Sequence, residues 1–99
     1  RMDVELDGCE VRTSMREGLG LFATSDFAAG DHIAVARIEN KRTQAGRFTN
    51  HSKTPNGAFV LTDEGADLVA IKPIHNGEEI TVDYRQAKEI AVAANRRFL

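Results

Sequence analysis

Arg47-Phe48-Thr49-Asn50-His51-Ser52, running on through Lys53 and Thr54 to Pro55-Asn56, is the least ordinary stretch of this chain. Alone it says little, because Asn-His pairs in loops usually cap a turn. Two other islands stand on either side of it. Upstream is Glu17-Gly18-Leu19-Gly20-Leu21-Phe22, and downstream is Gly77-Glu78-Glu79-Ile80-Thr81-Val82-Asp83-Tyr84. Gly18-x-Gly20 is weak by itself, since it lacks the third glycine and the strand-to-helix setting of a dinucleotide fingerprint. A tyrosine at a strand end, such as Tyr84, more often packs than reacts.

Between the islands the segments are short, β-like and broken by glycine, which predicts many short strands. Val4–Leu6 and Cys9–Thr13 read as a first hairpin around Asp7-Gly8, a strong turn pair. Strands are expected at 21–23, 32–38, 58–62, 68–71 and 80–84. Two stretches also match at an offset of 47: Ala23 to Val35, through Phe27, Gly30 and Asp31, and Ala70 to Val82, through Ile74, Gly77 and Glu78. Each reads as a strand end, an apolar anchor, a glycine turn, an acidic residue and a second strand. Gly30 and Gly77 are expected to take positive φ. Two units are too few for a solenoid, so a compact β domain with pseudo-symmetric halves is expected.

The end of the chain changes character. From Arg85 onward it has no glycine or proline, and Ala87, Ile90, Ala91, Ala94 and Phe98 share one helical face. A terminal helix over about 85–97 should pack on the sheets, with partner binding as the lesser alternative.

Size and composition bound the rest. Ninety-nine residues make one domain, 1–99, around a single core. No stretch approaches the ~20 apolar residues of a membrane span, and no secretory signal is visible. The single cysteine, Cys9, excludes an internal disulfide and a cysteine zinc cluster. With three scattered histidines beside it, no metal site is expected. A net charge of −2 without a basic run argues against direct nucleic-acid binding. Acidic residues gather at Asp63, Glu64, Asp67 and at Glu78, Glu79, Asp83. They are either a solvated face or a rim that attracts a Lys- or Arg-rich peptide.

Taken together and in this order, the three islands are specific. From about Val11 to Tyr84 the chain resembles the SET domain family of protein-lysine methyltransferases. The GxG loop, the Arg-Phe-x-Asn-His-Ser segment with its Pro-Asn, and the Gly-Glu-Glu-hydrophobic-x-x-Asp-Tyr strand all match. The resemblance implies a mainly β fold, a SET-type β-clip of several short strands and small sheets with a knot-like C-terminal segment and one terminal α-helix. It implies S-adenosyl-L-methionine as cofactor, with S-adenosyl-L-homocysteine as product, and a protein or peptide presenting a lysine as substrate. By the same resemblance Gly18, Leu19, Gly20, Asn50 and His51 are cofactor-binding residues and Tyr84 is the catalytic one, at the transfer point. Arg47 and Asn56 fit as braces of the knot. The site is expected inside the cell, in the cytoplasm or, for a viral member, the host nucleus.

The chain also departs from the family pattern. No cysteine follows Asn50-His51-Ser52, no cysteine-rich tail follows Tyr84, and Arg85 stands where a small residue is usual. Only eight residues separate Ile38 from Arg47, where larger members insert a subdomain. Phe98 is therefore expected to cover the adenine, and Phe22, Phe48 and Phe59 to line an apolar tube or simply pack. Association as a symmetric pair is expected, since small viral and bacterial members use a dimer to complete the site. The chief rival is a SET-fold interaction module without catalysis. A small β domain of another kind explains the repeat but not Asn50-His51 or Asp83-Tyr84.

Overall fold

The structure is a computed structural model, and it describes residues 5–99. The elements run β1 (Cys9–Thr13), β2 (Leu19–Ala23), β3 (His32–Ile38), β4 (Lys41–Arg42), α1 (Gln44–Phe48), β5 (Asn50–His51), β6 (Gly57–Thr62), β7 (Gly65–Ala70), β8 (Glu79–Val82) and α2 (Tyr84–Arg97). They form two four-stranded sheets, in the orders β1-β2-β8-β5 and β4-β3-β7-β6. The fold is mainly β, as the glycine-punctuated sequence predicts. Among the described residues every pairing is antiparallel except that of β5 with β8, which sets Asn50 beside Thr81 and His51 beside Val82.

The internal repeat is physical. Phe27 and Ile74 form an isolated antiparallel bridge between the two units. Around it the equivalent atoms bond reciprocally. Gly30 N–H donates to Ala70 O at 2.8 Å, and Gly77 N–H to Ala23 O at 2.8 Å. Ala70 N–H donates to Asp31 O and Ala23 N–H to Glu78 O, both at 2.9 Å. Asp31 and Glu78 each turn a carboxylate back onto a loop N–H, of Ala28 and His75 respectively. Gly30 and Gly77 have φ of +93° and +96°, the region a side chain disfavours. The reciprocal bonds satisfy the backbone groups of the buried Ala23 and Ala70 from the exposed turns.

Both sheets face one core, in which Leu21, Leu68, Ile74, Ile80 and Val82 are fully buried. Burying each such side chain contributes roughly 1.5–3 kcal/mol. The strands expected over 21–23, 32–38, 58–62 and 68–71 are present with ends shifted by at most a few residues. The expected strand 80–84 stops at Val82, because Asp83 turns its carboxylate onto Arg85 N–H and starts a helix. The expected hairpin around Asp7-Gly8 is corrected: β1 pairs with β2 instead, across residues 14–18, with Cys9 opposite Ala23 and Thr13 opposite Leu19. Glu5 and Leu6 are not in a strand, and Val4 lies outside the described residues. Gly8 instead accepts Thr24 N–H, at 2.8 Å.

The terminal helix begins one residue earlier than read, at Tyr84. Its face of Ala87, Ile90, Ala91, Ala94 and Phe98 is the inward one, with Ala94 fully buried, and Ala87 and Ile90 packed on the core. Gln86 ties it to β6 by bonding both the N–H and the C=O of Phe59, at 3.2 and 2.7 Å. The short helix α1 is capped by Thr43, whose hydroxyl also donates to Val35 O at 2.6 Å.

Candidate functional site

The loop from Ser14 to Gly18 joins β1 to β2 and closes with Ser14 N–H on Gly18 O at 2.8 Å. Its shape is held by Asn50 from β5 and Glu79 from β8. The Asn50 amide donates to Glu17 O at 3.1 Å, to Leu19 O at 3.2 Å and to the Glu79 carboxylate at 2.9 Å. Ser14 Oγ donates to the same carboxylate at 2.9 Å, and Arg16 Nε lies 3.6 Å from it. A side chain at Gly20 would collide with Glu79 and crowd the Asn50 amide. Gly18 differs: its φ is +45° and the direction a Cβ would take is open. One glycine thus makes room for the bracing pair, and the other keeps the loop's outer edge bare.

At the next position along β5, His51 Nδ1 accepts the Tyr84 backbone N–H at 3.0 Å, so the ring proton sits on Nε2. The two rings lie 5.1 Å apart and tilted by 53°. His51 and Asp83 together satisfy the first N–H groups of α2. The Asp83 carboxyl is held below its ordinary range by the Arg85 N–H, with the Arg85 guanidinium and His51 adding to it against some desolvation. Tyr84 therefore enters the site on the first turn of a capped helix. Its ring is half exposed, and its hydroxyl reaches 3.4 Å from Thr49 O.

A cleft of about 420 Å³ opens on this side of Tyr84. Thr49, Phe59, Ala87 and Ala91 form its apolar part, and Arg37, Arg42, Arg47 and Lys88 stand around it. Of the three phenylalanines considered for an apolar tube, only Phe59 lines this cleft. Phe22 carries the Arg12 guanidinium 4.6 Å above its ring, and Phe48 is neighboured by that of Arg47 at 5.8 Å. Phe98, expected over the adenine, borders a second cleft with Val35, Ile38 and Thr62. The Tyr84 end of α2 adjoins His51 and the cleft, and the helix then packs along β6.

Of the six residues singled out by sequence, two pairs are joined by direct hydrogen bonds, Asn50 with Leu19 and His51 with Tyr84, while Gly18 and Gly20 contribute through the shape of the loop. Asn50 reaches Leu19 and the carbonyl at Glu17, Gly20 packs on the Asn50 amide, and His51 holds Tyr84. Asn56 is a brace, donating to Glu79 O at 2.9 Å and accepting Thr81 N–H at 2.8 Å. Arg47 lies on α1, where its Nη1 donates to Arg42 O at 3.3 Å. Glu79 is the residue that motif reading missed. A carboxylate only 11% exposed, paired across the strands with Phe22 and standing where a side chain on Gly20 would go, is a structural contact in place of a solvated charge. The acidic groups do not form one rim. Glu78 and Asp83 cap turns, Glu79 braces the loop, and Asp63, Glu64 and Asp67 border the second cleft.

Sequence and structure comparisons bear on the family and the fold. A sequence model of the SET domain matches residues 32–85. Histone-lysine N-methyltransferase SET9 of Yarrowia lipolytica is 34% identical over 85 residues, covering 84% of this chain. The chain spans only 9% of that protein's length. The crystal structure of PFL0690c from Plasmodium falciparum, assigned as a histone methyltransferase, superposes with a TM-score of 0.65. That match has 17% identity and covers 78% of this chain and 92% of the other, which speaks to the fold. A mainly β fold with a braced glycine loop and a tyrosine at a helix start is the class defined here. The chain belongs to the SET domain family, and its Yarrowia lipolytica relative is named as a histone-lysine N-methyltransferase.

Proposed function

We propose that this chain is an S-adenosyl-L-methionine-dependent protein-lysine N-methyltransferase. One observation carries the reading: parallel pairing of β5 with β8 gathers the glycine loop, Asn50, His51 and Tyr84 at one end of the sheets. The residues fit such a cofactor. The bare edge at Gly18 lets a ligand approach the backbone, and the loop is fixed in advance by Asn50 and Glu79. When bound, the cofactor supplies a methyl group on a positive sulfur, whose transfer to an amine leaves a neutral thioether and a methylated ammonium.

The chain's own part is positioning and exclusion of water. A lysine amine must be neutral to act as nucleophile, yet its ordinary pKa is about 10.4. Apolar walls from Phe59, Ala87 and Ala91 disfavour the ammonium, and the proton leaves to solvent. The Tyr84 hydroxyl and Thr49 carbonyl, 3.4 Å apart, are the polar pair that would orient the amine.

Thermal melting with S-adenosyl-L-homocysteine tests the cofactor. Ligand at ~100 times its dissociation constant stabilises a fold by about 2.7 kcal/mol. Transfer of labelled methyl to lysine-rich protein tests the activity. A chain that binds cofactor and labels nothing across cell extract is a binding module, and the enzymatic reading fails.

A further inference from the structure

The Tyr84 cleft carries an unusual charge for a lysine site. Arg37, Arg42, Arg47 and Lys88 line it, and among the described residues no aspartate or glutamate does. The chain as a whole is net negative, so this is local segregation. Arg37 and Arg42 are also direct cross-strand partners in the β3–β4 pairing, an arrangement of like charges that costs stability unless something offsets it. Among the described residues, no carboxylate pairs with Arg37, Arg42 or Lys88. The carboxylates of Asp63, Glu64 and Asp67 are gathered at the second cleft, which Arg37 also borders.

We propose that the cleft beside Tyr84 takes a peptide whose lysine is flanked by aspartate or glutamate, with those carboxylates paired to Arg42, Lys88 and Arg37. The lysine rests on the methyltransferase reading above, whereas the acidic flank rests on the charge of the cleft. The same cations would serve the lysine itself. Positive neighbours disfavour an ammonium, so they add to the apolar walls in keeping the amine neutral. An isolated or basic-flanked lysine meets no opposite charge there, and acidic neighbours supply the charge attraction that brings the segment in. Desolvation and then Arg42 both lower the Arg37 pKa, in keeping with a cation that lacks an anion.

The test uses three labelled peptides of one length with a central lysine and flanks of glutamate, glutamine or arginine. Fluorescence anisotropy on the whole chain is expected to show the glutamate peptide binding at least about tenfold tighter than the glutamine one at low salt. Most of that margin should vanish near 0.5 M salt, about where screening reaches a few ångströms. The double variant Arg42→Glu, Lys88→Glu should reverse the order while melting close to the parent, and Arg42→Gln, Lys88→Gln should flatten it. Equal binding of glutamate and glutamine peptides, preference for arginine, or no binding overturns the proposal. If the glutamate peptide binds and is never methylated, the acidic docking stands and the enzymatic reading falls. If an arginine-flanked lysine is methylated in preference, the enzyme stands and the docking falls.

Discussion

Phe27 and Ile74 exchange both of their backbone hydrogen bonds, N–H to O at 2.8 Å in one direction and 2.9 Å in the other. They are corresponding residues of two units that match in sequence, and they sit where the units cross. Ile74 is fully buried, whereas Phe27 is only partly so. Ile74→Ala should therefore destabilise by about 2–5 kcal/mol, the cost of a cavity in a closed core. Phe27→Ala should cost distinctly less. Urea denaturation of the two variants decides it, and equal losses would contradict the asymmetry.

Asn50 and Gly20 meet at the same loop, where a Cβ on Gly20 would stand 3.1 Å from the Asn50 amide. Asn50→Ala removes the donor for two loop carbonyls and for Glu79, leaving polar groups short of partners. The expected outcome is a folded protein whose melting no longer responds to S-adenosyl-L-homocysteine. Gly20→Ala should weaken the fold itself, since Glu79 stands in the way of the new methyl. Gly18→Ala meets no atom and should lose only about 1 kcal/mol for its left-handed φ. Gly18→Val should instead block the ligand. Calorimetry showing unchanged affinity in Asn50→Ala or Gly18→Val would remove that residue from the site.

Tyr84→Phe isolates one hydroxyl. The lost contact to Thr49 O is long and the ring is half exposed, so melting and cofactor affinity should stay near the parent values. Methyl transfer should fall at least tenfold, about 1.4 kcal/mol of transition-state stabilisation. Tyr84 is the only tyrosine, so no neighbour can replace it. A variant as fast as the parent would exclude the role.

Cys9 offers a pH test. Burial, with Asp7 adding to it, pushes its thiol up to about 11. The folded state thus keeps a proton that an unfolded thiol loses near pH 8.5. This contribution to stability is full below that value and is lost as pH rises toward about 11. The difference in unfolding free energy between parent and Cys9→Ala should narrow across that interval. A constant difference would show that the thiol titrates normally. Native Cys9 should also label with disulfide reagents far more slowly than the unfolded chain.

The sequence by itself determined the strand-rich fold, the repeat and the terminal helix. Local signals carry all three: glycine spacing, apolar alternation, and the run of alanine from Ala87 to Ala94. It also marked Gly18, Asn50, His51 and Tyr84, because their residue types recur in one order. Only the tertiary structure decided what those residues do to one another. Asp7-Gly8 reads locally as a hairpin turn, yet β1 prefers β2, which offers a buried partner face in Leu21 and Ala23. Glu79 looks like any charged neighbour of Glu78 until a parallel pairing with β5 brings Asn50 against it. The cationic wall at Tyr84 draws Arg37, Arg42, Arg47 and Lys88 from four separate elements. No run of basic residues announces it, because charge in a cleft is set by which side chains folding brings together.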